Sequence, residues 1–185
     1  MQQKAKPKAR SRKAAETTYK GAAKKTTSGI VPKTDNQGKL IKAITESSQV
    51  IVFGPAGTGK TYVTATLASD MYLTKEIEKI VITRPMVSVG KDIGILPGEL
   101  LDKEAPWALP VLDILIKHLG KATVEIALKS GNIEIAPLAL MRGRSFDDAF
   151  IICDEAQNIT TAELKMLLTR VGEGTTIVLN GDVQQ

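Results

Sequence analysis

The chain has little of what marks a secreted, metal-caged or membrane-spanning protein. Cys153 is its single cysteine, so no disulfide can form within the chain, and a reducing compartment, the cytoplasm, is expected. Cys153 lies in an apolar run and is read as a small buried residue. His118 is the single histidine and has no Cys or His neighbour in sequence; it is read as a helix-surface residue, not a ligand. Aromatic residues make up 4% of the chain, too few for an extended platform on which bases could stack. No apolar run approaches the ~20 residues that cross a bilayer. The N-terminal region is basic with no apolar stretch behind it. It therefore predicts no secretory leader, and its bias to lysine over arginine fits an organelle transit peptide poorly.

Charge is present but unevenly placed. Nine Lys or Arg and one acid fall within residues 1–25, a net of +8, which leaves −3 for the remainder. Residues 1–30 are therefore expected to be a basic, disordered tail with almost nothing to bury. Such a tail serves either as a nucleic-acid-binding arm, through phosphate contacts and counterion release, or as a solvated extension. From residue 31 onward the apolar content suits one domain with a true core.

The most informative stretch is Gly54-Pro55-Ala56-Gly57-Thr58-Gly59-Lys60-Thr61, which fits the phosphate-loop pattern G-x-x-x-x-G-K-[ST] at every fixed position. Glycines at 54, 57 and 59 let the backbone N–H groups turn inward around anionic oxygens. Lys60 adds a point charge for the outer phosphates, and the Thr61 hydroxyl can ligate Mg²⁺. Val50–Phe53 before the loop reads as a buried strand. Thr61–Leu73 after it reads as a helix whose N-terminus faces the phosphates.

Further strands are expected at Lys79–Thr83, Ile133–Ala136, Ala149–Asp154 and Thr176–Asn180. Helices are expected at Gln37–Ser47 (capped by Asp35 or Asn36), Pro110–Leu119, Ala122–Leu128 and Thr160–Thr169. Strands alternating with helices predict an α/β fold, with a mainly parallel sheet covered by helices on both faces. Arg84–Pro106 is the longest irregular stretch, a length that points to binding or gating. Trp107 at its end is read as an anchor to the core rather than a base-stacking residue.

A phosphate loop binds nucleotide; hydrolysis also needs a carboxylate for the metal and a group that positions water. Phe150–Gln157 supplies both. Its strand carries Asp154 to the carboxyl edge of the sheet, where Asp154 can hold Mg²⁺ and Glu155 can take a proton from the attacking water. Gly181-Asp182-Val183-Gln184-Gln185 follows the last strand, and a polar side chain at that strand's tip can sense the γ-phosphate. Gln37, ahead of the first strand, has an amide suited to the Hoogsteen edge of adenine. Arg84, Arg142 and Arg144 are candidates for nucleic-acid phosphate, with surface ion pairing as the competing role.

These pieces together resemble the PhoH family of ATPases. The likeness runs from about Val31 to Gln185. It rests on PKTDNQ at 32–37, GPAGTGKT at 54–61, TRP at 83–85, GILPG at 94–98, IEIAPL at 133–138, MRGR at 141–144, DEAQN at 154–158 and the terminal GDVQQ. The DEAQ and GDxxQ forms are also similar to superfamily 1 helicases. The resemblance implies a RecA-like P-loop NTPase core that binds and hydrolyses ATP with Mg²⁺. It implies an adenine-facing Gln37, Gln185 as γ-phosphate sensor and a ring-forming tendency. Some relatives carry a nuclease domain and act on RNA; no such domain is readable here.

Family members usually continue beyond GDxxQ, so a C-terminal part of the fold is expected to be missing. With it goes the usual transition-state arginine, for which Arg84, Arg142, Arg144 and Arg170 are the internal candidates. The expected function is an ATPase engaging RNA or single-stranded DNA. The alternative is a nucleotide-dependent binding or assembly module with little turnover. A small-molecule kinase is disfavoured, because no lid or acceptor pocket is readable.

Overall fold

A computed structural model describes residues 29–85 and 105–182. The basic tail, most of the long irregular stretch with its GILPG motif, and Gln185 lie outside these residues. The elements run α1 (Asp35–Glu46), β1 (Gln49–Phe53), α2 (Lys60–Leu73), β2 (Lys79–Thr83), α3 (Leu109–Leu119), α4 (Lys121–Ser130), β3 (Ile133–Ile135), β4 (Ala149–Cys153), α5 (Thr161–Leu168) and β5 (Thr176–Gly181). Each strand and helix expected from the pattern is present, with ends shifted by at most two residues.

Among the described residues five strands form one sheet in the order β1-β5-β4-β2-β3, every neighbouring pair parallel. Parallel neighbours require crossovers, and these carry the helices. The alternation of side chains along each strand divides the core in two. Val50, Ile80, Ile82, Phe150, Ile152 and Val178 face α1 to α4. Val81, Ile151, Ile177 and Leu179 face α5 and its neighbouring turns. All five residues of β4 are buried, as a strand covered on both faces must be.

Three local expectations change. The first strand reads as a buried element because it is a run of Val, Ile and Phe. Among the described residues β1 is instead the sheet edge, with Ile51 55% and Phe53 52% exposed, because only β5 pairs with it. Helix α1 is capped not by Asp35 or Asn36 but by Thr34, whose Oγ1 accepts from Gln37 N at 3.2 Å; Asp35 becomes its first-turn acid. His118 is not a solvated helix-surface residue: it is half-buried against α2, its Nε2 3.2 Å from Thr66 Oγ1. Trp107 does pack on the core, in a short 3₁₀ turn. Cys153 is fully buried, and burial foremost pushes its thiol up to about 12, which makes it inert. Among the described residues no helix is long and apolar enough to cross a membrane.

Candidate functional site

The site lies where the carboxyl ends of β1, β5 and β4 meet the start of α2. The chain leaves β1 at Phe53, and Gly54 N donates to Gly181 O at 3.2 Å, tying the loop's first residue to the end of β5. Gly57 and Gly59 then take φ values of +75° and +85°, which residues with a Cβ adopt at a cost. Gly59 caps α2 in this left-handed state, so the turn and the helix start depend on its missing side chain. Thr58 Oγ1 donates to Pro55 O at 2.9 Å and closes the loop on itself.

Lys60 opens α2. Its ammonium lies across the loop, donating to Gly54 O at 2.6 Å and Pro55 O at 2.8 Å. Both acceptors are neutral carbonyls, and among the described residues no carboxylate forms an ion pair with this positive charge. Gln37 closes the loop's outer side: its Nε2 donates to Thr58 O at 3.1 Å, while its Oε1 accepts from Lys33 N at 2.8 Å. The residue read as adenine-facing is thus seated on the phosphate loop itself.

A cleft of about 330 Å³ brings Lys60 and Thr61 of α2 together with Asp154 and Glu155 beyond β4. These four come from two sequence motifs on strands separated by β5. Arg84, which follows β2, lies close enough that its positive charge, with that of Lys60, favours the Asp154 carboxylate. Burial outweighs both and raises the Asp154 carboxyl above its ordinary value, with the neighbouring Glu155 charge adding to the rise. An acid placed in this way is poised to gain from a cation. Among the described residues no cluster of three or more His, Cys, Asp or Glu forms. The Thr61 hydroxyl and the Asp154 carboxylate offer oxygen donors of the kind a hard cation takes.

Glu155 adopts φ +55°, ψ +38°, a conformation uncommon for a residue with a side chain. The kink ends β4 and turns the chain into the 3₁₀ turn Ala156–Asn158. There Gln157 bridges the site: its Nε2 donates to Glu155 Oε2 at 2.5 Å, and its Oε1 accepts from Asp182 N at 2.9 Å. The Glu155 carboxylate in the cleft is therefore held through one amide to the backbone of Asp182, the residue after β5.

The remaining sequence candidates separate. Arg84 is at the site. Arg142 is exposed on the turn after β3. Arg144 forms a two-point ion pair with Glu134, with Nη2 2.8 Å from Oε2, and stacks 4.8 Å from the Phe146 ring centroid. Arg170 donates to Arg144 O at 2.9 Å. Gln185 lies outside the described residues. Gln157 and Asn180, neither named as a site residue from the sequence, also line the cleft; the spacing of β4 and β5 brings them there.

Comparison with known proteins gives the family. The family described as PhoH-like protein matches residues 29–185. The chain belongs to the PhoH family. Protein PhoH of Escherichia coli K12 is 42% identical over 161 residues, 86% of this chain and 46% of the relative. The PhoH-like protein of Mycobacterium tuberculosis H37Rv is 45% identical over 156 residues, 84% of this chain and 44% of its own. That of Bacillus subtilis 168 is 46% identical over 153 residues, with 83% and 48% covered. The chain thus spans about half the length of these relatives. The PhoH assignment and the parallel sheet together make this an α/β fold of P-loop NTPase type, a nucleotide-binding theme.

Proposed function

We propose that this PhoH domain binds ATP with Mg²⁺ and hydrolyses it, and that turnover is coupled to RNA or single-stranded DNA. One observation carries the reading: Lys60 and Thr61 line the same cleft as Asp154 and Glu155. The Gly54–Gly59 backbone and Lys60 hold the phosphates, and Gln37 meets the base. Thr61 and Asp154 are the residues that would hold Mg²⁺; when bound, it neutralises charge between the outer phosphates. Glu155 takes the proton of the attacking water on its carboxylate, and Gln157 keeps that carboxylate in place. Gln185 is retained as the γ-phosphate sensor that the GDxxQ pattern suggests. The basic residues 1–30, Arg84 and Arg142 favour a polyanionic partner, and Arg144, bound to Glu134, is the weakest of the proposed nucleic-acid contacts. A ring of copies in the cytoplasm completes the reading.

The test is Glu155→Gln. It is expected to bind ATP as the parent does and to lose turnover by at least about 100-fold, consistent with removal of a general base. Hydrolysis at the parent rate would show that the base is elsewhere. A second reading, a switch with little turnover, is favoured by the structural bonds that occupy Arg144 and Arg170, two of the four arginine candidates. Single-turnover hydrolysis with and without RNA separates the two. An RNA-stimulated burst supports the coupled ATPase, and tight binding without hydrolysis supports the switch.

A further inference from the structure

Tyr62 is the third residue of α2 and lines the cleft beside the phosphate loop. The helix buries Val63 to Ser69, yet Tyr62 is 41% exposed. Its ring is nonetheless braced by the end of α3. The His118 ring lies 6.1 Å away at a 58° tilt, and Lys117 Nζ stands over the Tyr62 ring, 5.8 Å from its centroid. His118 is in turn keyed to α2, with its Nε2 3.2 Å from Oγ1 of Thr66, one helical turn beyond Tyr62. Among the described residues no ion pair takes up the Lys117 charge. A ring braced by a second helix and open to a cleft is a preformed stacking surface.

The two ends of a nucleotide in this cleft are set by the residues already placed. Thr61 and Asp154, proposed for the metal, mark the end of the outer phosphates. Gln37, proposed for the base, marks the other: a Cβ on Gly59 would lie 3.0 Å from Gln37 Nε2, so Gln37 rests against Gly59. Tyr62 follows Gly59 by three residues, a spacing that puts both on one side of a helix. An amide meets a base at its edge and leaves the face of the base without a partner.

We propose that Tyr62 stacks on the nucleobase of the bound nucleotide and supplies affinity that the phosphate contacts do not. This rests on the nucleotide reading above. Stacking on an aromatic ring needs no hydrogen bond and is worth about tenfold or more in affinity. It adds to the edge contact of Gln37 without changing the charge of the cleft.

The experiment measures affinities of the full chain, with Mg²⁺, for ADP and for inorganic tripolyphosphate, which offers phosphates and no base. Tyr62→Leu keeps an apolar side chain and removes the ring. Tyr62→Phe keeps the ring and removes the hydroxyl. Tyr62→Leu is expected to weaken ADP by about tenfold or more, with tripolyphosphate changed less than about twofold, and Tyr62→Phe to bind both as the parent does. Should Tyr62→Leu fail to fold, Tyr62→Trp retains a ring; its emission, taken as the difference from the parent, should be quenched by ADP and not by tripolyphosphate. Equal losses for both ligands, no loss for ADP, or Tyr62→Phe as weak as Tyr62→Leu overturn the proposal alone. Loss of RNA affinity with ADP unchanged also overturns it and assigns the ring to nucleic acid. A parent chain that binds neither ADP nor tripolyphosphate overturns the nucleotide reading and this proposal with it.

Discussion

At the β3 edge of the sheet, Glu134 is held by Arg144 through both carboxylate oxygens, with Lys79 at 3.4 Å. The Arg144 hydrogen bonds hold its carboxyl below the usual carboxylate range against the opposing effect of burial. At the ends of β4 and β5 the balance reverses. Burial raises the Asp154 carboxyl, Lys60 rests on neutral carbonyls, and Asn180 Nδ2 is unpaired. Both clusters combine acids and bases beside the sheet, and among the described residues only one is satisfied internally. The satisfied cluster secures an edge strand of three residues. The unsatisfied one is poised to gain from a ligand, which is how a site differs from a brace.

That contrast can be broken by substitution. Lys60→Ala should have the largest effect: nucleotide affinity should fall by at least about 100-fold, measured by titration, because the point charge for the phosphates is gone. The fold should melt close to the parent. Asp154→Asn should remove most Mg²⁺-dependent turnover and yet raise the melting temperature at neutral pH. A raised carboxyl means that the folded state binds more protons than the unfolded one just above the ordinary carboxyl range near 4, so the parent loses stability as pH rises through that window. The gain should vanish below about pH 4, where both states are protonated. A variant that melts lower than the parent at pH 7 would contradict the sign.

Gln157→Ala should slow turnover by about tenfold, a typical cost of misplacing a reacting group, with ADP affinity unchanged. If turnover is unaffected, the amide bridge from Asp182 to Glu155 has no part in the chemistry. Arg144→Met should leave nucleotide affinity alone and cost about 1 kcal/mol at pH 7, a discounted value for a partly exposed pair. Glu134 has a depressed carboxyl, so its stabilisation is present above the ordinary carboxyl range and is lost as pH falls through the depressed value. Denaturant melts of parent and variant should therefore converge in acid. If Arg144→Met also weakens RNA binding, the arginine has a second role beyond its ion pair.

Local elements were legible because their signals are local. Lys79–Thr83 matches its expected span, being a β-branched run bounded by charge and Arg-Pro. Gly57 and Gly59 announce positive φ, and Thr160 with Glu163 forms the capping box that opens α5. The errors fall where a residue's role depends on what lies beside it. A run such as Val50–Phe53 looks the same at a sheet edge as at its centre. His118 on a helix gives no sign that Thr66 will face it. Arg144 was as eligible for phosphate as Arg84 until the topology set Glu134 next to it.

The order of residues by itself determined the phosphate loop, the acidic pair after a buried strand, and the alternation that makes the sheet parallel. Each of these depends on contacts a few residues apart. Which charges are neutralised, and which donor is left unpaired, was decided only when β5 was inserted between β1 and β4. Desolvation and pairing depend on neighbours distant in sequence, and no short stretch of chain contains them.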